Sequence, residues 1–162
     1  MKFFKNIETI EELKKEYKIL AKELHPDMNK NVDTTAQFQE MQNEYEELFN
    51  QVKNIHKNSS GEKYTKETNE TIEEYKNIID RIIHFENVVI EVIGSWIWLT
   101  GDTKKYKEII KELNFKWSPN KLAWYYHKDK FRKKSNNNYS IDELRNMFEN
   151  EKIQNEGLKK LA

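Results

Sequence analysis

Residues 20–31 read LAKELHPDMNKN, a lysine-rich amphipathic pattern broken at His25-Pro26-Asp27. Proline lacks an N–H and its ring clashes with the preceding turn, so a helix running into this stretch must stop before Pro26. Upstream, Thr9 and Glu12 have the spacing of a capping box, in which each side chain takes a free N–H of the first turn. From there Ile10, Leu13, Tyr17, Leu20 and Leu24 recur at three- and four-residue steps. That is one apolar stripe on a helix of roughly 16 residues. Downstream, Phe38, Met41, Tyr45, Leu48 and Val52 repeat the spacing. The polar connection HPDMNKNVDTT, residues 25–35, separates the two stripes, which are buried most simply as an antiparallel helical hairpin.

At about 100° per residue, Lys14, Lys18 and Lys22 fall along one flank of the first helix, and Glu12, Glu16 and Glu23 along the other. Stacked like charges cost a little stability, where alternating charges would contribute a few tenths of a kcal/mol per pair. Such runs ordinarily serve as solvated surface. This one leads directly into His25-Pro26-Asp27, which favours a docking strip. Pro26 sets the backbone so that His25 and Asp27 project in defined directions, and a loop carboxylate is free to pair with an arginine of another protein.

The run EELKKEYKILAKELHPDMN, residues 11–29, resembles the second helix and loop of the J domain of DnaJ-type co-chaperones. QFQEMQNEYEEL, residues 37–48, resembles its third helix, and KFFKNI stands where the first helix would be, with Phe3 and Phe4 placed to plug the open end of the hairpin. The resemblance implies docking on a DnaK-type, seventy-kilodalton heat-shock chaperone. It implies that His25, Pro26 and Asp27 stimulate that partner's ATPase, while Lys14, Tyr17, Lys18 and Lys22 support docking. Two positions depart from the usual pattern: Ile19 follows Lys18, and Met28 follows the tripeptide. With GSWIW, GDTK, FKWSPNKLAWYY, FRKKS and SIDELR, the whole chain resembles small J-domain proteins of phages and mobile elements of Gram-positive bacteria. That likeness brings no activity for the C-terminal part.

The chain has 162 residues, room for one or two small domains. A mean hydropathy of -1.01 and the lack of any apolar run near ~20 residues point to a soluble protein without a membrane span. The start MKFFKNIETIEE lacks a signal-peptide core, and with no cysteine there are no disulfides and no thiolate metal site. A cytoplasmic protein is expected. The zero net charge hides a charge of +5 over residues 85–139, where 11 basic and 6 acidic side chains lie.

Beyond the hairpin, residues 56–70 are polar and aperiodic and read as a linker. Thr71-Ile-Glu-Glu74 opens a helix with the stripe Ile72, Tyr75, Ile78, Ile79, Ile82 and Ile83. VVIEVI and WIWLT, joined by Gly94-Ser95, read as a tight hairpin, and FKW-SPNK-LAWYYH as a second. Asp102 or Thr103 can cap a helix between them, and Ser140-Ile-Asp-Glu143 opens the last. The expected fold is α+β: an all-α J-domain-like hairpin (1–57), a linker (58–70), and an α+β domain (71–162) with two β-hairpins and about three helices. Both faces of WIWLT are apolar, so either two helices sandwich the sheet, which those from Thr71 and Thr103 could do, or one aromatic face is exposed.

KDKFRKK, residues 128–134, carries five positive charges around Phe131. Lys104, Lys105, Lys130, Phe131, Arg132, Lys133 and Lys134 form a candidate surface for a client protein or, by phosphate contact and base stacking, for single-stranded nucleic acid. The different-class alternative is thus a nucleic-acid-binding accessory protein, with the hairpin as a scaffold. His56, His84 and His127 lack metal-ligand spacing, and no nucleophile–base pair or glycine-rich phosphate loop is visible. Neither an enzyme nor a cofactor is expected.

Overall fold

A computed structural model describes residues 1–128 and 139–148 of the chain. The chain runs α1 (Ile10–Leu24), a 3-10 turn (Pro26–Met28), α2 (Thr35–Val52), β1 (Ile55–Lys57), β2 (Lys63–Thr65) and α3 (Ile72–Ile82). There follow β3 (Val88–Ile93), β4 (Trp96–Gly101), a 3-10 turn (Lys104–Tyr106), α4 (Lys107–Glu112), β5 (Lys116–Ser118) and β6 (Ala123–Tyr126). A further helix, α5, covers 141–148. Among the described residues, no helix is long and apolar enough to cross a membrane.

Local chemistry starts the helices where the hydroxyl–glutamate spacing placed them. Thr9 and Glu12 cap α1 reciprocally, Thr71 and Glu74 cap α3, and Ser140 and Glu143 do the same before α5. A cap of this kind contributes about 1 kcal/mol. Ile10, Leu13, Tyr17 and Ala21 of α1 pack against Met41, Tyr45, Leu48 and Val52 of α2 in one buried cluster. Each large side chain so buried contributes roughly 1.5–3 kcal/mol. Phe4 is buried 6.4 Å from the Tyr45 ring. The main-chain N–H groups of Lys2, Phe3 and Phe4 donate to the Glu44 carboxylate, which holds that plug in place.

The main sheet is antiparallel with strand order β3-β4-β6-β5. Gly94, at φ 61°, turns β3 into β4, with Ile93 opposite Trp96. Trp98 lies opposite Tyr125, and Trp117 opposite Trp124. Alternation sends Ile97, Leu99, Trp124 and Tyr126 to one face. There they join a single buried cluster with α1, α2, α3 and Ile110 of α4.

Two expectations are revised here. The helices from Thr71 and Thr103 do not sandwich the sheet: α3 and α4 share one cluster, and α5 covers the opposite face. Ile141, Leu144 and Phe148 of α5 close over Ile93, Trp98, Ala123, Trp96 and Tyr125. Arg145 pins that helix through a two-pronged contact with Glu91 of β3, its Nε 2.6 Å from Oε2 and its Nη2 2.5 Å from Oε1. Nor is 58–70 a featureless linker. Lys63–Thr65 pairs with Ile55–Lys57, with His56 opposite Tyr64. His56 is buried 2.9 Å from Glu11 of α1, and Thr68 donates to the Lys53 carbonyl. Polar side chains and main-chain groups hold this segment, and apolar periodicity does not register them. The core itself runs on across the expected boundary, from Tyr17 and Tyr45 to Tyr75, with Tyr17 5.8 Å from Tyr75.

Candidate docking face on the first helix and its loop

His25 ends α1 with extended backbone, φ -59° and ψ 128°, and Pro26 opens the 3-10 turn at its first position. Its missing N–H costs nothing there. The His25 Nδ1 accepts the Asp27 N–H at 3.1 Å. With Nδ1 an acceptor, Nε2 carries the proton and donates to Oδ1 of Asp80 on α3, 2.6 Å away. The imidazole lies edge-on to Phe38, at 5.1 Å, and to His84, at 4.9 Å. Asn29 donates to the carbonyls of Glu23 and His25, and Thr34 to that of Leu24, which satisfies the open end of α1. The loop is therefore built, and within it the Asp27 carboxylate faces solvent, 75% exposed.

The candidate residues divide by exposure. Asp27 and Lys22 are exposed and Pro26 is half-buried. Lys14, by contrast, is 3% exposed. Its ammonium sits 2.5 Å from Oε2 of Glu70, 3.4 Å from the Ser95 carbonyl and 4.9 Å from the centre of the Tyr75 ring. Tyr17 is a core residue, 4.3 Å from Tyr45, with its phenol pushed up to about 12 by burial, partly offset by a hydrogen bond with Gln42. Lys18 donates to the Ile90 carbonyl of β3 at 3.1 Å. Burial lowers its pKa, Lys15 and Lys22 lower it further, and Glu91 acts in the opposite sense. The wheel placed Lys14 and Lys18 on a flank of α1; α3 and β3 then pack over that flank.

Glu70 and Asp80 escaped sequence reasoning, and His84 was weighed there only for metal-ligand spacing. Each meets α1 or its loop from more than fifty positions away along the chain, and such pairing leaves no local signal. His25, Asp80 and His84 bring ligand-type atoms within 4.8 Å of one another. With Nδ1 accepting the Asp27 N–H, His25 Nε2 is the donor in its 2.6 Å bond to Asp80.

On the second half, Lys104 and Lys105 are exposed, the latter 3.9 Å from Glu86 and 5.3 Å from the centre of the Tyr106 ring. Lys130, Phe131, Arg132, Lys133 and Lys134 lie outside the described residues. Trp98, Trp124 and Tyr126 are buried, whereas Trp117 on the edge strand is 44% exposed. Of that candidate surface, the described residues include only Lys104 and Lys105.

Residues 4–58 match the DnaJ domain family, a span that takes in Phe4, α1, the His25-Pro26-Asp27 loop, α2 and β1. No curated protein and no solved structure matches the chain.

Proposed function

With residues 4–58 a J domain, we propose that this chain is a co-chaperone that docks on a DnaK-type heat-shock chaperone and stimulates its ATPase. The observation that carries the reading is the loop itself. His25, Pro26 and Asp27 sit in a turn ordered by four side-chain hydrogen bonds, with the Asp27 carboxylate offered to solvent. A fixed, exposed carboxylate gives a partner's arginine a charge-assisted target, and Lys22 steers the encounter. Hydrolysis takes place on the partner, so the chain itself is no enzyme and needs no cofactor. The sheet and its helices, in this reading, direct the chaperone toward a client protein or complex in the cytoplasm.

The test is single-turnover ATP hydrolysis by a bacterial DnaK-type chaperone, titrated with the full chain and with Asp27→Asn and His25→Gln variants. The expected result is a saturable stimulation that both variants abolish. Equal stimulation by all three proteins would overturn the role given to the loop. No stimulation by any of them, at concentrations that saturate known co-chaperones, would overturn the co-chaperone reading.

A further inference from the structure

Two carboxylates from beyond the J domain meet the basic flank of α1 and its loop, and a third lies close enough to act on Lys18 electrostatically while it holds Arg145. Glu70 meets Lys14 at 2.5 Å, and Asp80 meets His25 at 2.6 Å. Glu91 is the acidic group that bears on the charge of Lys18. The Ser95 carbonyl accepts a further hydrogen bond from Lys14, and the Ile90 carbonyl accepts one from Lys18. These contacts give α1 an acidic, hydrogen-bonding counter-surface supplied by its own chain.

We propose that the protein masks its own docking face: α3 and the edge of β3 occupy in cis the flank of α1 that a DnaK-type chaperone would occupy in trans, with His25–Asp80 as the latch on the loop. This rests on the co-chaperone reading above. The contacts differ in how readily they part. Lys14 and Glu70 are almost wholly buried beneath Tyr75, and separating them exposes core. Asp80 is 56% exposed, so the hydrogen bond from His25 opens into water with little else disturbed. The latch therefore gives way first. While it is closed, His25 is held away from the partner, and the apparent affinity is reduced by the fraction of molecules whose latch is open, the Lys14 and Lys18 flank staying packed with the core. Asp27 and Lys22 stay outside the mask and provide the first contact.

The experiment titrates the same single-turnover assay with the native chain, Asp80→Ala, Asp80→Asn and the double variant Asp80→Ala/His25→Gln. Asp80→Ala is expected to lower the half-maximal concentration by about five-fold or more, the ordinary scale of such coupling. Asp80→Asn keeps an acceptor for the Nε2 proton and falls between, and the double variant is inactive. Superposed curves for the native chain and Asp80→Ala, both silenced by His25→Gln, overturn the mask and leave the co-chaperone reading standing. Weaker stimulation by Asp80→Ala also overturns it, since Asp80 would then be positioning His25 for the partner. Silence from every protein sinks both readings together.

A second measurement needs no chaperone. The chain has no cysteine, so Lys18→Cys and Lys22→Cys each carry a single thiol. The mask requires maleimide to label the first much more slowly than the second in the folded chain. Equal rates overturn it.

Discussion

The phenol of Tyr75, on α3, donates a 2.6 Å hydrogen bond to the main-chain carbonyl of Lys14, in the first half of α1. Tyr75 is fully buried, and its ring lies 5.8 Å from that of Tyr17 and 6.2 Å from that of Tyr45. The third helix thus completes the core of the hairpin, and the two parts should lose their structure together. Trp96, Trp98, Trp117 and Trp124 all belong to the sheet. Tryptophan emission therefore reports the sheet, while far-ultraviolet circular dichroism is dominated by the helices. In denaturant the two signals are expected to share one midpoint; two separated midpoints would show that the parts fold independently.

Removing that phenol hydroxyl tests the joint directly. The Lys14 carbonyl loses a buried partner, so Tyr75→Phe should cost about 1 kcal/mol of unfolding free energy. The neighbouring ion pair is a stiffer test. Lys14→Met leaves the Glu70 carboxylate buried without its cation, and removal of one partner of such a pair costs about 3–5 kcal/mol. Replacing both, as Lys14→Met with Glu70→Met, should recover much of that loss. A double variant as unstable as the sum of the single ones would refute the pairing.

Gly101 closes β4 at φ 93°, where a Cβ would stand 2.6 Å from the carbonyl oxygen of Asn87. That oxygen already accepts the Asp102 N–H at 2.9 Å, so it has no freedom to retreat. Gly101→Ala combines a disfavoured backbone conformation with a main-chain clash. A loss of at least about 2 kcal/mol is expected from strain of this kind. Thermal melts that shift by less than a degree or two would contradict the geometry.

Acid should weaken the protein through two carboxylates. Burial raises the pKa of Glu44, but the N–H groups of Phe3, Lys2 and Phe4 outweigh it and hold the group below its ordinary 4.5. The Thr71 N–H, with Lys128, holds Glu74 below the same value against burial. Both groups are therefore more acidic folded than unfolded. The stability they lend is complete above pH 4.5 and is lost as pH falls through their folded values. Melting temperature followed against pH should show that decline, with a shallower acid limb in Glu44→Gln. An identical limb in the variant would remove Glu44 from the account.

Much of the fold was legible in the chain because its determinants are local. The hydroxyl–glutamate spacings at Thr9, Thr71 and Ser140 start the helices they announced, and Gly94-Ser95 makes the hairpin turn it promised. Phe38, Met41 and Tyr45 line the α2 stripe, and His25-Pro26-Asp27 marks the loop on its own. What stayed hidden was every relationship that joins residues far apart in sequence. The pairing of β1 with β2 is made from polar residues, which carry no apolar period. The cover on the second face of the sheet comes from α5, because only there do Ile141, Leu144 and Phe148 find Trp98 and Ala123. By itself the sequence determined the helices, the turns and the identity of the loop, since each depends on the chemistry of neighbours within a few positions. Tertiary structure alone decided that Glu70, Asp80 and β3 lie over the basic flank of α1. Buried charges must find partners wherever the packed chain brings them, and no local pattern records where that will be.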